Sequence, residues 1–425
     1  MPGEVVDLIS DPVAEPYSPW HPIAKEPALK GARASLLRAL NRVRFGRLRL
    51  ILPNEKVFAF RGSEPGETAQ LEVRDWTALD EIVKRGQMGF ADSYIDGKLE
   101  SDNLADLVAF FLKNEKAIHG YFNGKFWYSA WIFTLHGLHA NNKSGSRKNI
   151  AAHYDLGNEF YGLWLDRGMT YSAGIFSDDK RRTLEQAQTA KYRRILDKLS
   201  PDPGQHILEI GCGWGGFAEM AGRLGYEVTA VTNSERQADY ATERMRKAGL
   251  SDRVHVELMD YRDVRGKFDH VVSIGMFEHV GAEYWTDYFR TVKHRLKPYG
   301  RAMIESIYMP DEAYQRAASQ PGFIETYIFP GGELPTPGLF KQRAQQAGLL
   351  CGEPFIFGQD YKRTLQMWLA RFESELPAIR AQGHDDRFIR LWRLYLSSCI
   401  AAFGTQRAGV MQVEVRQAAF EPYED

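Results

Sequence analysis

The period of apolar and polar positions changes several times along the chain. Residues 206–210, 227–231, 254–259, 270–274 and 300–306 are short apolar runs that read as buried strands. Residues 217–224 and 235–248 lie between them and carry helical spacing. Strands that alternate with helices predict a mostly parallel sheet with right-handed crossovers, an α/β class in which ligands sit at the carboxyl ends of the strands. Those ends carry Gly211, Thr232, Asp260 and Glu278. Nearer the N-terminus, residues 48–52, 57–60 and 70–73 read as short strands and 76–84 and 104–113 as helices, a small α+β unit ending near residue 120. Leu36, Leu37, Leu40, Val43 and Phe45 recur at helical spacing and predict an amphipathic helix there.

The stretch that organises the chain is 207–217, ILEIGCGWGGF. Gly211, Gly213 and Gly215 supply a sharp turn and let a ligand approach where a Cβ would clash. The helix that follows offers N–H groups to a polar ligand. By itself this is also an ordinary strand–turn–helix corner. A nicotinamide-binding fold is the rival, but it asks for an acid at the end of the second strand, where this chain has Thr232 and Asn233.

Charge and composition narrow the field. A net charge of −1 gives no global field toward nucleic acid. No apolar run is long enough for a membrane-spanning helix, and the N-terminus lacks the order of a signal peptide. Cys212, Cys351 and Cys399 have no metal-ligand spacing, so no metal is expected, and they fit a reduced, cytoplasmic setting. Residues 25–49 hold eight Lys and Arg against one acid, Glu26. Such a helix either lies on an anionic bilayer surface or packs on its own domain. Residues 121–135 are rich in aromatic rings, as core or as the bound of an acyl tunnel, and 141–149 read as a polar linker. The expected division is a loose arm at 1–24, an N-terminal domain at 25–120, the aromatic segment and linker at 121–149, and a catalytic domain at 150–425.

Several blocks then occur in one order: HYDLGNEF at 153–160, MTYS at 169–172, EIGCGWGG at 209–216, GMFEHVG at 275–281, YIFPGG at 327–332, DYKRTL at 360–365 and the late Cys399, with DSYIDG at 92–97 before them. Together they resemble the cyclopropane-fatty-acyl-phospholipid synthases over roughly residues 45–405. The resemblance implies a class I methyltransferase, Rossmann-like catalytic domain, a smaller lipid-associated N-terminal domain and S-adenosylmethionine as cofactor. It implies transfer of a one-carbon unit to the cis double bond of an acyl chain in membrane phospholipid, giving a cyclopropane, by an enzyme peripheral to the inner face of the membrane and able to pair as a homodimer. Carried over by position, Tyr171, Ser172, Gly211, Gly213, Thr232, Asn233 and Gln237 touch the cofactor, with Glu209, Trp214, Gly215 and Gly275 in the same blocks, and Asp260 and Tyr261 flank the adenine. Glu278 and Tyr361 fall where the family binds a bicarbonate ion that acts as base. His279 is a weaker base, and Cys399 suits a structural thiol better than a nucleophile.

The chain departs from that family at the base. Ala173 stands where the family usually has cysteine, and Glu305 where it has histidine. Two neighbouring carboxylates would repel bicarbonate and push one pKa upward, so Glu305, or the Glu278–Glu305 pair, is expected to replace it. The opposing expectation is that Glu305 forms a salt bridge with an arginine and faces away. The change also opens a methylene- or methyl-branched product. A small-molecule O- or N-methyltransferase and a non-catalytic lipid-binding protein are further alternatives. If Glu305 belongs to the base, Glu305→Gln abolishes turnover and the wild type needs no added bicarbonate; full activity in the variant overturns this.

Overall fold

The computed structural model describes residues 28–122, 156–177, 179–312, 314 and 332–417. The predicted arm, most of the aromatic segment with its linker, residues 153–155 and most of the 327–332 block lie outside the described residues. The first layer contains α1 (Gly31–Leu40), α2 (Thr77–Arg85), α3 (Gln87–Ile95), α4 (Leu104–Lys113) and α5 (Glu115–Phe122). Its sheet is β2-β1-β3-β4, made of β1 (Phe45–Ile51), β2 (Val57–Arg61), β3 (Glu64–Val73) and β4 (Leu99–Glu100). β1 runs parallel to β3 and antiparallel to β2. Along β1, Leu48 and Leu50 face the core while Arg47 and Arg49 face water, the alternation of a half-buried strand.

For the basic stretch, one expectation is corrected and one choice between alternatives is decided. The helix stops at Leu40, and Phe45 opens a strand rather than a further turn. The apolar face is spent within the protein: Leu36, Leu37 and Leu40 are buried, and α1 packs on α2 and α5. Arg33 pairs with Asp80 and lies over Trp76. That face is therefore not a lipid-facing surface.

The second sheet follows the predicted alternation. β5 (His206–Ile210), β6 (Glu227–Thr232), β7 (Val254–Leu258), β8 (Phe268–Ile274) and β9 (Leu296–Tyr308) are mutually parallel, ordered β9-β8-β5-β6-β7. Three strands escaped prediction: β10 (Leu349–Cys351), β11 (Phe355–Ile356) and β12 (Gly409–Gln417), which runs antiparallel beside β9. Around this sheet lie α6 (Asn158–Trp164), α7 (Leu184–Leu199), α8 (Gly216–Arg223), α9 (Glu235–Lys247), α10 (Trp285–Arg295), α11 (Pro337–Gln346), α12 (Gly358–Ser374), α13 (Leu376–Ala381) and α14 (Asp386–Gly404). α7 starts on a capping box, in which Thr183 and Gln186 satisfy each other's backbone N–H groups.

One continuous apolar core joins the N-terminal layer to α6, α12 and α14, running from Leu37, Leu48 and Phe110 to Trp164, Trp368 and Trp392. Arg390 of α14 fastens the junction. Its guanidinium donates to Tyr94 O at 2.6 Å, Leu99 O at 2.6 Å and Glu100 Oε2 at 2.9 Å, and lies 4.2 Å from the Tyr94 ring centroid. Bonds from a charged donor to buried acceptors are costly to lose. Arg390→Ala should lower unfolding stability by roughly 3 kcal/mol, read as a fall in denaturant midpoint; an unchanged midpoint refutes this role.

Candidate active site

The glycine turn at the end of β5 needs its glycines. Gly211, Gly213 and Gly215 have φ of 80°, 53° and 80°, a region that side chains with a Cβ rarely adopt. A Cβ on Gly211 would meet Met276 Cγ at 2.9 Å, whereas one on Gly213 would meet open space. The Gly211 and Cys212 N–H groups both donate to Val231 O at 3.0 Å, tying the turn to β6. Beneath it Glu209 is buried, accepts from the Ala218 N–H, and has its pKa pushed up to about 8 by burial. Glu209 thus braces the start of α8. Trp214 turns to α6, donating to Asn158 Oδ1 at 2.7 Å and packing on Tyr161.

The ends of the next two strands carry a polar array. Thr232 donates to Gln237 Oε1 at 2.9 Å, and Ser234 accepts from the Gln237 N–H as the N-cap of α9. Asn233 Nδ2 donates to Asp260 Oδ2 at 3.4 Å, while the buried Asn233 Oδ1 has no partner among the described residues. Arg262 pairs with Asp260 at 2.7 Å, and Tyr261 packs edge-on against Tyr288. An open glycine turn beside an unsatisfied amide oxygen and a carboxylate fits a cofactor bearing amino and hydroxyl groups.

A second group converges after β8. Gly275 adopts φ of 62°; a Cβ there would lie 3.6 Å from Ser172 Cβ and 3.9 Å from Glu278 Oε1. Glu278 is buried and accepts from Ser306 Oγ at 3.3 Å and from the Ile307 N–H. Burial, with the nearby Glu305 charge adding to it, raises the Glu278 pKa to about 7. Glu305, on β9, is 1% exposed. Gln412 on β12, its register partner, donates to Glu305 Oε2 at 2.8 Å, and Arg194 in turn donates to Gln412 Oε1 at 2.7 Å. The cation beside Glu305 is Lys191 of α7, with Nζ 3.9 Å from Oε1, rather than the arginine considered from sequence. Burial raises the Glu305 pKa, and Lys191 opposes that rise. His279 has its pKa lowered to about 4 by burial and is a poor proton acceptor at neutral pH.

A third group is aromatic. Tyr171 OH and Tyr395 OH lie 2.9 Å apart. Around them stand Tyr161, Trp164, Trp368 and Trp392, with neighbouring ring centroids 5.3–6.0 Å apart across the layer. Tyr361 is buried against Trp368 and Phe403. Cys399 is half-buried on α14, close enough to raise the Tyr395 pKa, and packs on the core. Trp368 and Phe372, one turn apart on α12, are fully buried.

Lys191 and Gln412 were missed from sequence. Lys191 lies on the same helix face as the buried Ala187, Ile195 and Leu199, and a lysine on an apolar face was the available signal. Gln412 had none, because β12 was not foreseen.

Residues 141–413 match the family model for mycolic acid cyclopropane synthetase. The chain belongs to that family. It is 31% identical over 409 residues to the tuberculostearic acid methyltransferase UfaA1 of Mycobacterium tuberculosis, spanning 93% of each chain. It is 35% identical over 361 residues to the cyclopropane-fatty-acyl-phospholipid synthase of Escherichia coli, spanning 84% of this chain and 89% of that one. The solved structure of mycolic acid cyclopropane synthase CmaA1 complexed with SAH and CTAB superimposes with a TM-score of 0.60 at 28% identity, covering 64% of this chain and 98% of that one. This member of the mycolic acid cyclopropane synthetase family is an S-adenosylmethionine-dependent methyltransferase, with the expected Rossmann-like sheet. Gly211→Ala forces a strained backbone, costing about 1–2 kcal/mol, and a clash with Met276. It should weaken S-adenosylmethionine binding about tenfold or more by calorimetry; unaltered affinity refutes the role of this turn.

Proposed function

We propose that the protein methylates the cis double bond of an unsaturated acyl chain in a membrane phospholipid, with the buried Glu278–Glu305 pair in place of bicarbonate as the base. The observation that carries this reading is the burial of two carboxyls at the ends of β8 and β9, one of them balanced by Lys191 and the other with its pKa near neutrality. S-adenosylmethionine supplies an electrophilic methyl group, and Gly211, Gly213, Asn233 and Asp260 are the residues that would hold it. An alkene is a weak nucleophile, so positioning is the main lever available to the protein.

After methyl addition the acyl chain carries a positive charge. The faces of Tyr171, Trp368 and their neighbours attract it, worth about 2 kcal/mol in a dry site, and the same rings exclude water that would trap it as an alcohol. Glu278 takes a proton from the added methyl, and the released C–H electron pair forms the new C–C bond of a cyclopropane. A carboxyl with a pKa near the working pH suits that transfer. His279 and Cys399 have no step in it.

A second product is favoured by Glu305 itself, since it alters the family's base, and by the tuberculostearic acid methyltransferase matching over 93% of the chain. A hydride shift before proton loss leaves a methylene branch; reduction to a methyl branch would need a separate reductant. We further read residues 25–120 as the lipid-associated domain of a peripheral, inner-face enzyme, with the described part of 150–425 as the catalytic domain.

The deciding experiment is proton NMR of lipid extracted after incubation with cis-monounsaturated phospholipid vesicles. Ring protons upfield of all other lipid signals identify a cyclopropane, vinylidene protons identify a methylene branch, and neither signal overturns the proposal. kcat/KM should climb with pH and level off above about 7 as Glu278 loses its proton, and Glu278→Gln should abolish turnover. A pH profile flat through this range sinks the assignment of Glu278.

A further inference from the structure

Lys191 has no part in the reaction described so far, yet it is the most completely buried cation in the catalytic half among the described residues, at 0% exposure. A lone ammonium in that position is costly, and lysine is rarely buried without a partner. Its Nζ donates to Ser172 Oγ, lies 3.9 Å from Glu305 Oε1 and sits 4.9 Å from the Tyr192 ring centroid. Gln188, one turn earlier in α7, donates to Ser172 O at 2.8 Å, so the helix grips Ser172 at both backbone and side chain. Ser172 adjoins Gly275, whose other neighbour is Glu278. One ammonium thus bridges the segment before the glycine turn and the carboxylate on β9.

We propose that Lys191 is a positioning residue which fixes the Glu305 carboxylate as a built-in anion beside Glu278. The argument rests on the proposed base. An anion at this point strengthens the hold of Glu278 on the proton it takes up, and in low dielectric it persists only with a cation and a hydrogen-bond donor against it. Lys191 supplies the first and Gln412 the second, so the chain carries its own counterpart of a mobile anion.

The test uses full-length protein, vesicles of dioleoyl-phosphatidylethanolamine and dioleoyl-phosphatidylglycerol, and sodium formate with sodium chloride as control. Glu305→Ala leaves Lys191 with a vacated anion position; turnover should fall about a hundredfold, and formate, but not chloride, should restore it about tenfold. Glu305→Ala combined with Lys191→Met should gain nothing from formate. Equal restoration in both variants, or none in either, overturns the proposal, because a merely structural lysine predicts no link between formate and position 191. Should Glu305→Ala fail to fold, Lys191→Met, Glu305→Gln and their double variant decide: a double variant no worse than the worse single supports the pair acting as a unit, and losses that multiply overturn it. Glu278→Gln run alongside separates the two claims, since an active Glu278→Gln sinks the base assignment itself, while formate results bear on Lys191 alone.

Discussion

A carboxylate shut away from water carries a penalty of several kcal/mol unless a nearby charge and hydrogen bonds replace its hydration. Glu305 is in that position on a central strand, and much of the site's architecture serves it. Gln412 reaches it because β12 lies antiparallel alongside β9 and puts the two side chains in register. Lys191 reaches it because α7 lays its core face against the sheet. Arg194, one turn further along α7, extends the chain of donors through Gln412. Glu278 has no ion pair among the described residues, and burial with the nearby Glu305 charge raises its proton affinity.

Burial raises the proton affinity of both carboxyls, and at Glu305 the Lys191 charge opposes the rise. Pairs of titratable groups whose environments separate their proton affinities are how acid and base roles are divided at a fixed pH. Here the opposing charge at Glu305 comes from a lysine fifteen residues before the first catalytic-sheet strand, and its hydrogen bond from a glutamine about two hundred residues beyond the glycine turn.

Sequence reading captured what is periodic and local. The five parallel strands, α8, α9 and the glycine turn came through because apolar runs and glycines mark them directly. The motif blocks named Ser172, Gly275 and Glu278 separately, and the fold places Gly275 between the other two. What stayed hidden depends on pairing at long range. β12 lies between β10 and β9, its longest partner β9 is about a hundred residues earlier, and only its register gives Gln412 a purpose. The basic stretch misled because Val43 and Phe45 continue a helical spacing that the chain abandons at Leu40 to begin β1. An amphipathic pattern reports that a face is buried, not what buries it.

The apolar core that runs unbroken from Leu48 to Trp392 sets a limit on how this chain can be subdivided. A fragment starting at residue 156 would retain the methyl-donor pocket but bare the flank of α14 that Phe110 and Tyr94 now cover. Greasy area of that kind invites self-association. Tyr395, which meets Tyr171, and Arg390, which grips β4, share that one helix, so trimming the front of the molecule loosens the rod that also carries the Tyr171 partner.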